Sequence, residues 1–450
     1  MAATKKGFRA DSNQLLGPDA RSDEHNAWLE KARTLIPGGT TNSVTPPAGL
    51  EFLIDGGEGV HLYDVDGRRY LDFVIGAGAL ILGHAHPRLV ETIGKQAPKG
   101  SHHFALRRRT VELAERIVHY VPCAEMVRFC SSGTEATFHA IRLSRAVTGR
   151  LGVIKFDGAW HGHHDFGAIS LEHSPTEIPH PYPVSAGIEP AILDDMVVLP
   201  FNDAAMLRET LRREPGRFAC VIAEPMHRTI QPVPGFLETL REECDRAGVI
   251  LIFDEVVSGF RLAPGGAQEK YGVTPDLATL GKALSSGMPV SAIVGKRVVM
   301  DHMTPGSDPR HYDFHCGTLN GFALGVECAH ATLDILVEEG AIAQLARIGD
   351  YARERVGRTL ADHKIDHVMA GDGPIFQPYY TRKPVRDHRD VRASDLTFNA
   401  ALHRQMYAAG IYFLPNKTYL STQHDESHVN HYCDVMAWAI GRVREGEAGA

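Results

Sequence analysis

Val249-Ile250-Leu251-Ile252-Phe253-Asp254-Glu255-Val256-Val257 is an apolar run with two carboxylates set into it. Upstream, Cys220-Val221-Ile222-Ala223-Glu224-Pro225 is a shorter run that breaks at a proline. Downstream, Asp276-Leu277-Ala278-Thr279-Leu280-Gly281-Lys282 ends a third run on a lone lysine. Runs that stay apolar without alternating suit strands buried on both faces, as in a parallel sheet. Open α/β sheets bind ligands beyond the carboxyl ends of their strands. A carboxylate and a lysine placed there are candidates for chemistry.

Working outward, Thr110 to Val121 has the spacing of an amphipathic helix, Met126 to Cys130 reads as a strand, and Ser131-Ser132-Gly133-Thr134-Glu135-Ala136 opens a helix. Further strands are expected at 153–156, 196–199, 220–223, 250–253 and 277–280, with helical spacing between most of them. This alternation implies a mostly parallel, doubly wound α/β sheet. Ser170 to Asp195, rich in Pro, His and Ser, is expected to be an ordered loop over a site. Toward the N-terminus lie a loose arm (1 to about 25), a helix from Glu24 to Leu35, a hairpin from Val60 to Phe73 turning at Asp66-Gly67, and a helix from Pro87 to Gln96. After Phe322 a long helix (Ala323 to Glu339) leads into a smaller region of mixed α+β pattern. The expected division is an N-terminal arm and small-domain segment at 1–85, a large domain at 86–325 and a small α+β domain at 326–450.

The composition of the 450 residues, 43% hydrophobic and 23% charged, is that of a globular protein. A formal net charge of -8 argues against a nucleic-acid partner. The seven cysteines are scattered without a CxxC pair, as expected for reduced thiols in a cytoplasmic protein. Met1 to Asp23 is polar and no apolar stretch would cross a bilayer, so neither a signal peptide nor a membrane partner is expected.

Ser132-Gly133-Thr134, between a strand and a helix, could hold a phosphate at a helix N-terminus; the plainer reading is an N-cap and a glycine turn. Ala159-Trp160-His161-Gly162-His163-His164-Asp165 gathers an aromatic ring and three histidines. It could stack on a planar cofactor, bind a metal as a hydrolase would, or be a solvated loop; its spacing fits no helical two-histidine pattern. Asp254 at a buried strand end needs a cationic or N–H partner, and a pyridinium nitrogen is one. Lys282, if buried, would be a nucleophilic amine; a surface lysine is the alternative. His315-Cys316-Gly317-Thr318-Leu319-Asn320-Gly321 offers further donors before a helix.

Taken in order, SSGTEA (131–136), WHGHHD (160–165), AEP (223–225), DEVVSGFR (254–261), LGK (280–282) and GTLN (317–320) resemble the class III aminotransferases, a family of fold type I pyridoxal 5′-phosphate (PLP) enzymes. The likeness runs from Pro37-Gly38-Gly39 to Leu420-Ser421-Thr422-Gln423-His424. Within the family the chain is similar to glutamate-1-semialdehyde aminomutase and to the D-phenylglycine and β-phenylalanine aminotransferases. The resemblance implies that Lys282 is the Schiff-base lysine and the base for a 1,3-proton shift, and that Asp254 pairs with the pyridinium nitrogen. It implies that Ser132, Gly133 and Thr134 hold the phosphate, with Thr318 reaching it from the partner subunit of a homodimer. Trp160 takes the place of a stacking tyrosine, Val256 the opposite ring face, and His161 and Glu224 the surrounding shell.

Two departures bear on substrate. The aminomutase-like enzymes carry an arginine shortly after PGG that grips a carboxylate bidentately. Here Gly38-Gly39-Thr40-Thr41-Asn42-Ser43-Val44-Thr45 has none. Where a bulky aromatic precedes the ILGH motif in the family, this chain has Gly76-Ala77-Gly78. A pocket with Ala77 and no nearby arginine is expected to take a larger or less acidic substrate, with any carboxylate held by another cation such as Arg228 or Lys417. The sequence is thus expected to encode a ping-pong transaminase acting on small-molecule amino donors and keto acceptors, with an aminomutase as the alternative.

Overall fold

The computed structural model describes residues 20–171 and 177–447. The arm expected over residues 1 to about 25 lies mostly outside the described residues, as do 172–176 of the expected loop. The centre is a seven-stranded sheet in the order Met126–Cys130, Ser291–Gly295, Leu277–Leu280, Ile250–Glu255, Phe218–Ala223, Gly152–Phe156, Met196–Leu199. All neighbouring pairs are parallel except those of Ser291–Gly295, which runs against both of its neighbours. That reversed strand was not expected from the sequence.

The apolar runs are continuous because both faces of the sheet are covered. Val221, Ala223, Leu251, Phe253, Ala278 and Leu280 join one buried cluster with the helix Arg108–Tyr120. The alternate residues Cys220, Ile222, Ile252 and Leu277 join a second with Ala136, Ala140, Ile141 and Leu143 of the helix Gly133–Thr148. Each fully buried Val, Leu, Ile or Phe contributes roughly 1.5–3 kcal/mol, so the two-sided burial fixes the strand register strongly.

Elsewhere the hairpin forms as expected, His61–Asp64 against Arg69–Asp72. It is extended by Ile54–Glu58 on one edge and, in parallel, by Ile411–Tyr412 from the far end of the chain on the other. Val60, Leu71 and Phe73 pack with Val356, Leu360, Phe376, Met406 and Ile411 in a separate cluster. The helix expected over 323–339 is α-helical at Ala323–Leu333 and widens to a π turn at Asp334–Glu338. The described part of the 170–195 loop folds back on itself, with the Ser170 N–H donating to the Tyr182 carbonyl, and ends in a short helix, Pro190–Asp194. Among the described residues, no helix is long and apolar enough to cross a membrane.

Candidate active site

The chemistry-bearing residues follow the carboxyl ends of the parallel strands, which is why one edge of the sheet gathers them. Ser132 follows Met126–Cys130, Trp160 and His161 follow Gly152–Phe156, Glu224 follows Phe218–Ala223, Asp254 ends its own strand and Lys282 follows Leu277–Leu280.

Ser132 caps the helix Gly133–Thr148, its Oγ accepting from the Glu135 N–H at 3.2 Å, while the Glu135 carboxylate accepts from the Ser131 N–H at 2.7 Å. The Gly133 and Thr134 N–H groups are left without a backbone partner among the described residues, at the positive end of a 16-residue helix. Two glycines keep the space around them open. A Cβ on Gly133 would come within 2.9 Å of Val256 Cγ1, and one on Gly162, at φ +96°, within 2.7 Å of Thr134 Oγ1. The arrangement is one that binds anions.

Asp254 is buried, with Oδ2 2.8 Å from His161 Nδ1 and Oδ1 accepting from Thr279 Oγ1 at 2.9 Å and the Val256 N–H at 3.2 Å. Thr279 reaches it because the two residues are direct partners in the parallel register. His161 is buried as well, and its Nε2 has no hydrogen-bond partner. Trp160 is half exposed, its backbone N–H donating to Glu224 Oε1 at 2.8 Å.

Lys282 sits at φ +42°, a left-handed conformation costing a residue with a side chain about 1–3 kcal/mol. Desolvation lowers the pKa of its ammonium, against the pull of Asp254. It is partly buried, and Nζ makes no hydrogen bond or ion pair among the described residues. Burial opposes ionisation of Glu224, but Lys417 and Arg228 outweigh it and hold the carboxyl down at about 2. Lys417 is itself lowered to about 7, by burial first and then by Arg228.

Of the other expected site residues, Arg228 is partly buried at φ +59°, its N–H donating to Glu224 Oε2 at 3.1 Å. Ala77 is exposed at φ +55°. Thr318 is exposed, and no hydrogen bond ties it to the cluster. The histidine loop does not converge on a metal position. His161 turns to Asp254, His163 lies 3.2 Å from Thr134 Oγ1, and His164 lies 3.1 Å from Thr137 Oγ1. Among the described residues the one convergent group is His25, Asp64 and Asp66, far off in sequence. Its atoms are already engaged: His25 Nε2 accepts from the Leu53 N–H and Asp64 Oδ2 from the Tyr70 hydroxyl.

Sequence reasoning did not single out Thr279, Tyr419 or Arg261. Arg261 is fully buried, donating from Nε to the Val257 carbonyl at 2.8 Å and from Nη2 to the Gly78 carbonyl. Its place within the same quoted run as Asp254 was an available signal.

A family model, aminotransferase class-III, matches residues 44–393. The chain belongs to the class-III aminotransferases. Like the family, this aminotransferase is a PLP-dependent enzyme with the fold type I architecture. A glutamate-1-semialdehyde 2,1-aminomutase of Methanothermobacter thermautotrophicus is 36% identical to it over 407 residues, 89% of this chain and 95% of the relative. Among solved structures, an omega-transaminase from Sphaerobacter thermophilus matches with a TM-score of 0.88 at 33% identity, covering 93% of this chain and 98% of the other. A transaminase with PLP bound matches at 0.85 and 29% identity, covering 93% and 97%. A β-phenylalanine aminotransferase from Variovorax paradoxus matches at 0.82 and 28%, covering 93% and 94%.

Proposed function

We propose that this class-III aminotransferase is a transaminase, moving an amino group between a bulky or aromatic amino acid or amine and a keto acid or ketone in ping-pong half-reactions. The observation that carries the reading is the pairing of an unpartnered amine at Lys282 with a buried carboxylate at Asp254, on adjacent strand ends. The donor set fits PLP. The open N–H groups of Gly133 and Thr134 with the Ser132 hydroxyl suit its phosphate, and the glycines leave room for it.

Bound PLP supplies an electrophilic carbon and an electron sink. Lys282 Nζ would hold the cofactor and, when free, would take the proton from the substrate carbon that bears nitrogen and hand it on. Its lowered pKa keeps a larger share of neutral base near pH 7. Asp254, oriented by His161 and Thr279, offers its carboxylate to a cationic ring nitrogen. Trp160 and Val256 would flank the cofactor ring, and Glu224 fixes the Trp160 backbone. The exposed Thr318 suits a phosphate contact made across a homodimer. Seven free cysteines, all but Cys316 buried, suit a reducing cytoplasm.

The small Gly76-Ala77-Gly78 segment and the absence of arginine from Thr40 to Thr45 support a bulky substrate over glutamate semialdehyde. The 36% identical aminomutase favours a second reading, isomerisation of one substrate without release of a keto product. An absorbance spectrum of the PLP-loaded protein, taken with a panel of amino donors and no acceptor, separates the two. A visible band bleached by donor with stoichiometric keto product is the expected result. Bleaching without keto product overturns transamination.

A further inference from the structure

The site holds more cationic than anionic side chains. Lys282, Arg228, Arg261 and Lys417 act on one another through space, with Glu224 and Asp254 as the two carboxylates among them. Neither carboxylate forms an ion pair within 4.0 Å of any of the four, among the described residues. The oxygens of Asp254 are taken by His161, Thr279 and the Val256 N–H, and those of Glu224 by the N–H groups of Trp160 and Arg228.

Two of the cations are buried and incompletely satisfied. Arg261 is 1% exposed and its Nη1 has no hydrogen-bond partner among the described residues. Lys417 is 3% exposed and makes no hydrogen bond or ion pair among the described residues. They share one ring: Arg261 Cζ lies 5.6 Å and Lys417 Nζ 5.9 Å from the centroid of Tyr419. The ring in turn presses on Gly78, where a Cβ would come within 2.5 Å of Tyr419 Cε1, and the Gly78 carbonyl anchors Arg261. Gly78, Tyr419, Arg261 and Lys417 thus lie against one another. Glu224 acts on Lys417 through space without a direct ion pair, so a carboxylate brought into contact by a bound molecule would relieve the remaining cost of burying the two cations. The cofactor phosphate is provided for separately, at the N-terminus of the helix Gly133–Thr148.

We propose that Lys417 and Arg261, with Arg228 beside them, bind a carboxylate of the substrate, so that the enzyme takes carboxylate-bearing amino acids in preference to simple amines. This rests on the transaminase reading and narrows it. Lys417 supplies a compact cation that Lys282 acts on through space, in place of the absent arginine after Gly39, and Arg261 supplies a fixed N–H donor.

The test is calorimetric binding to the PLP-loaded enzyme of 3-phenylpropanoate and its neutral amide, neither of which can transfer nitrogen. The carboxylate is expected to bind at least about ten-fold more tightly than the amide, as a charge-assisted contact would give. Lys417→Met should remove that preference and Lys417→Arg should retain it, with the cofactor's visible band and the thermal melt confirming that each variant is folded and loaded. Equal binding of the two ligands to the wild type, no measurable binding of the carboxylate, or a preference unchanged in Lys417→Met would overturn the proposal. Keto product from amines and amino acids alike, with no carboxylate preference, would overturn it while leaving the transaminase reading standing. Absence of nitrogen transfer from every donor would instead overturn the transaminase reading.

Discussion

Lys155 and Lys282 both follow from apolar stretches of the same sheet, and desolvation lowers the pKa of both ammonium groups. Their surroundings differ. Lys155 lies within the strand Gly152–Phe156, fully buried, and donates to the carbonyls of Ala159, at 3.1 Å, Gly167, at 3.4 Å, and Ile169. These three carbonyls belong to the loop that carries Trp160 and His161, so Lys155 acts as a clamp on that loop. Lys282 follows its strand in a strained conformation and finds no partner. Burial alone therefore does not mark a reactive lysine. Among the described residues Lys282, like Lys417, lacks the acceptors that hold Lys155; what sets Lys282 apart is its place after a strand end beside Asp254, whose oxygens already accept from other groups.

The largest effect that could break this contrast is on turnover. Lys282→Ala should lower the rate of amino transfer by about 10³-fold while leaving the urea midpoint of the apoprotein unchanged or higher; a variant with near wild-type turnover would refute the assignment. Lys155→Met should do the reverse. Three buried carbonyls lose their donor, an expected loss of roughly 1–3 kcal/mol or more, read from urea unfolding, with PLP still attached. The same clamp has a pH signature. Burial lowers the folded pKa of Lys155 to about 7 from the ordinary 10.5, so between those values the unfolded chain binds the extra proton and stability rises with pH. Asp157, Glu224 and Arg228 act on Lys155, and Lys417, also lowered to about 7, titrates in an overlapping window. Subtracting the Lys155→Met profile from the wild-type profile should therefore leave a stability gain from pH 7 to 10; a flat difference would count against a buried, titrating clamp. The smallest effect belongs to the phosphate end. Gly133→Ala should weaken PLP binding about ten-fold through its contact with Val256, and Val256→Ala in the same chain should restore part of it.

Much of this was legible in the sequence because the parallel strands declare themselves by unbroken apolar runs. Phe218–Ala223 and Leu277–Leu280 are buried at every position, and their ends mark the site. Ser291–Gly295 escaped notice because it follows Gly287-Met288-Pro289, which reads as turn chemistry, and because it breaks the parallel order by running against both neighbours. Ile54–Glu58 is mostly exposed and rich in glycine, so it carries no strand signal and forms by pairing with its neighbour. At the site, Asp254 and Lys282 stand out as charges in apolar runs. Thr279 does not, because its importance comes from a cross-strand register that sequence does not display. Nor does the unsatisfied state of Arg261 and Lys417, which depends on where Glu224 and Asp254 place their oxygens.

The central claim is that Lys282, among several lysines with lowered pKa, is the one that attaches the cofactor. Borohydride reduction of the PLP-loaded enzyme, followed by peptide mass mapping, tests it directly. One pyridoxyl mass per chain is expected, on the peptide containing Lys282. The same mass on Lys155 or Lys417, or on no lysine, would contradict it.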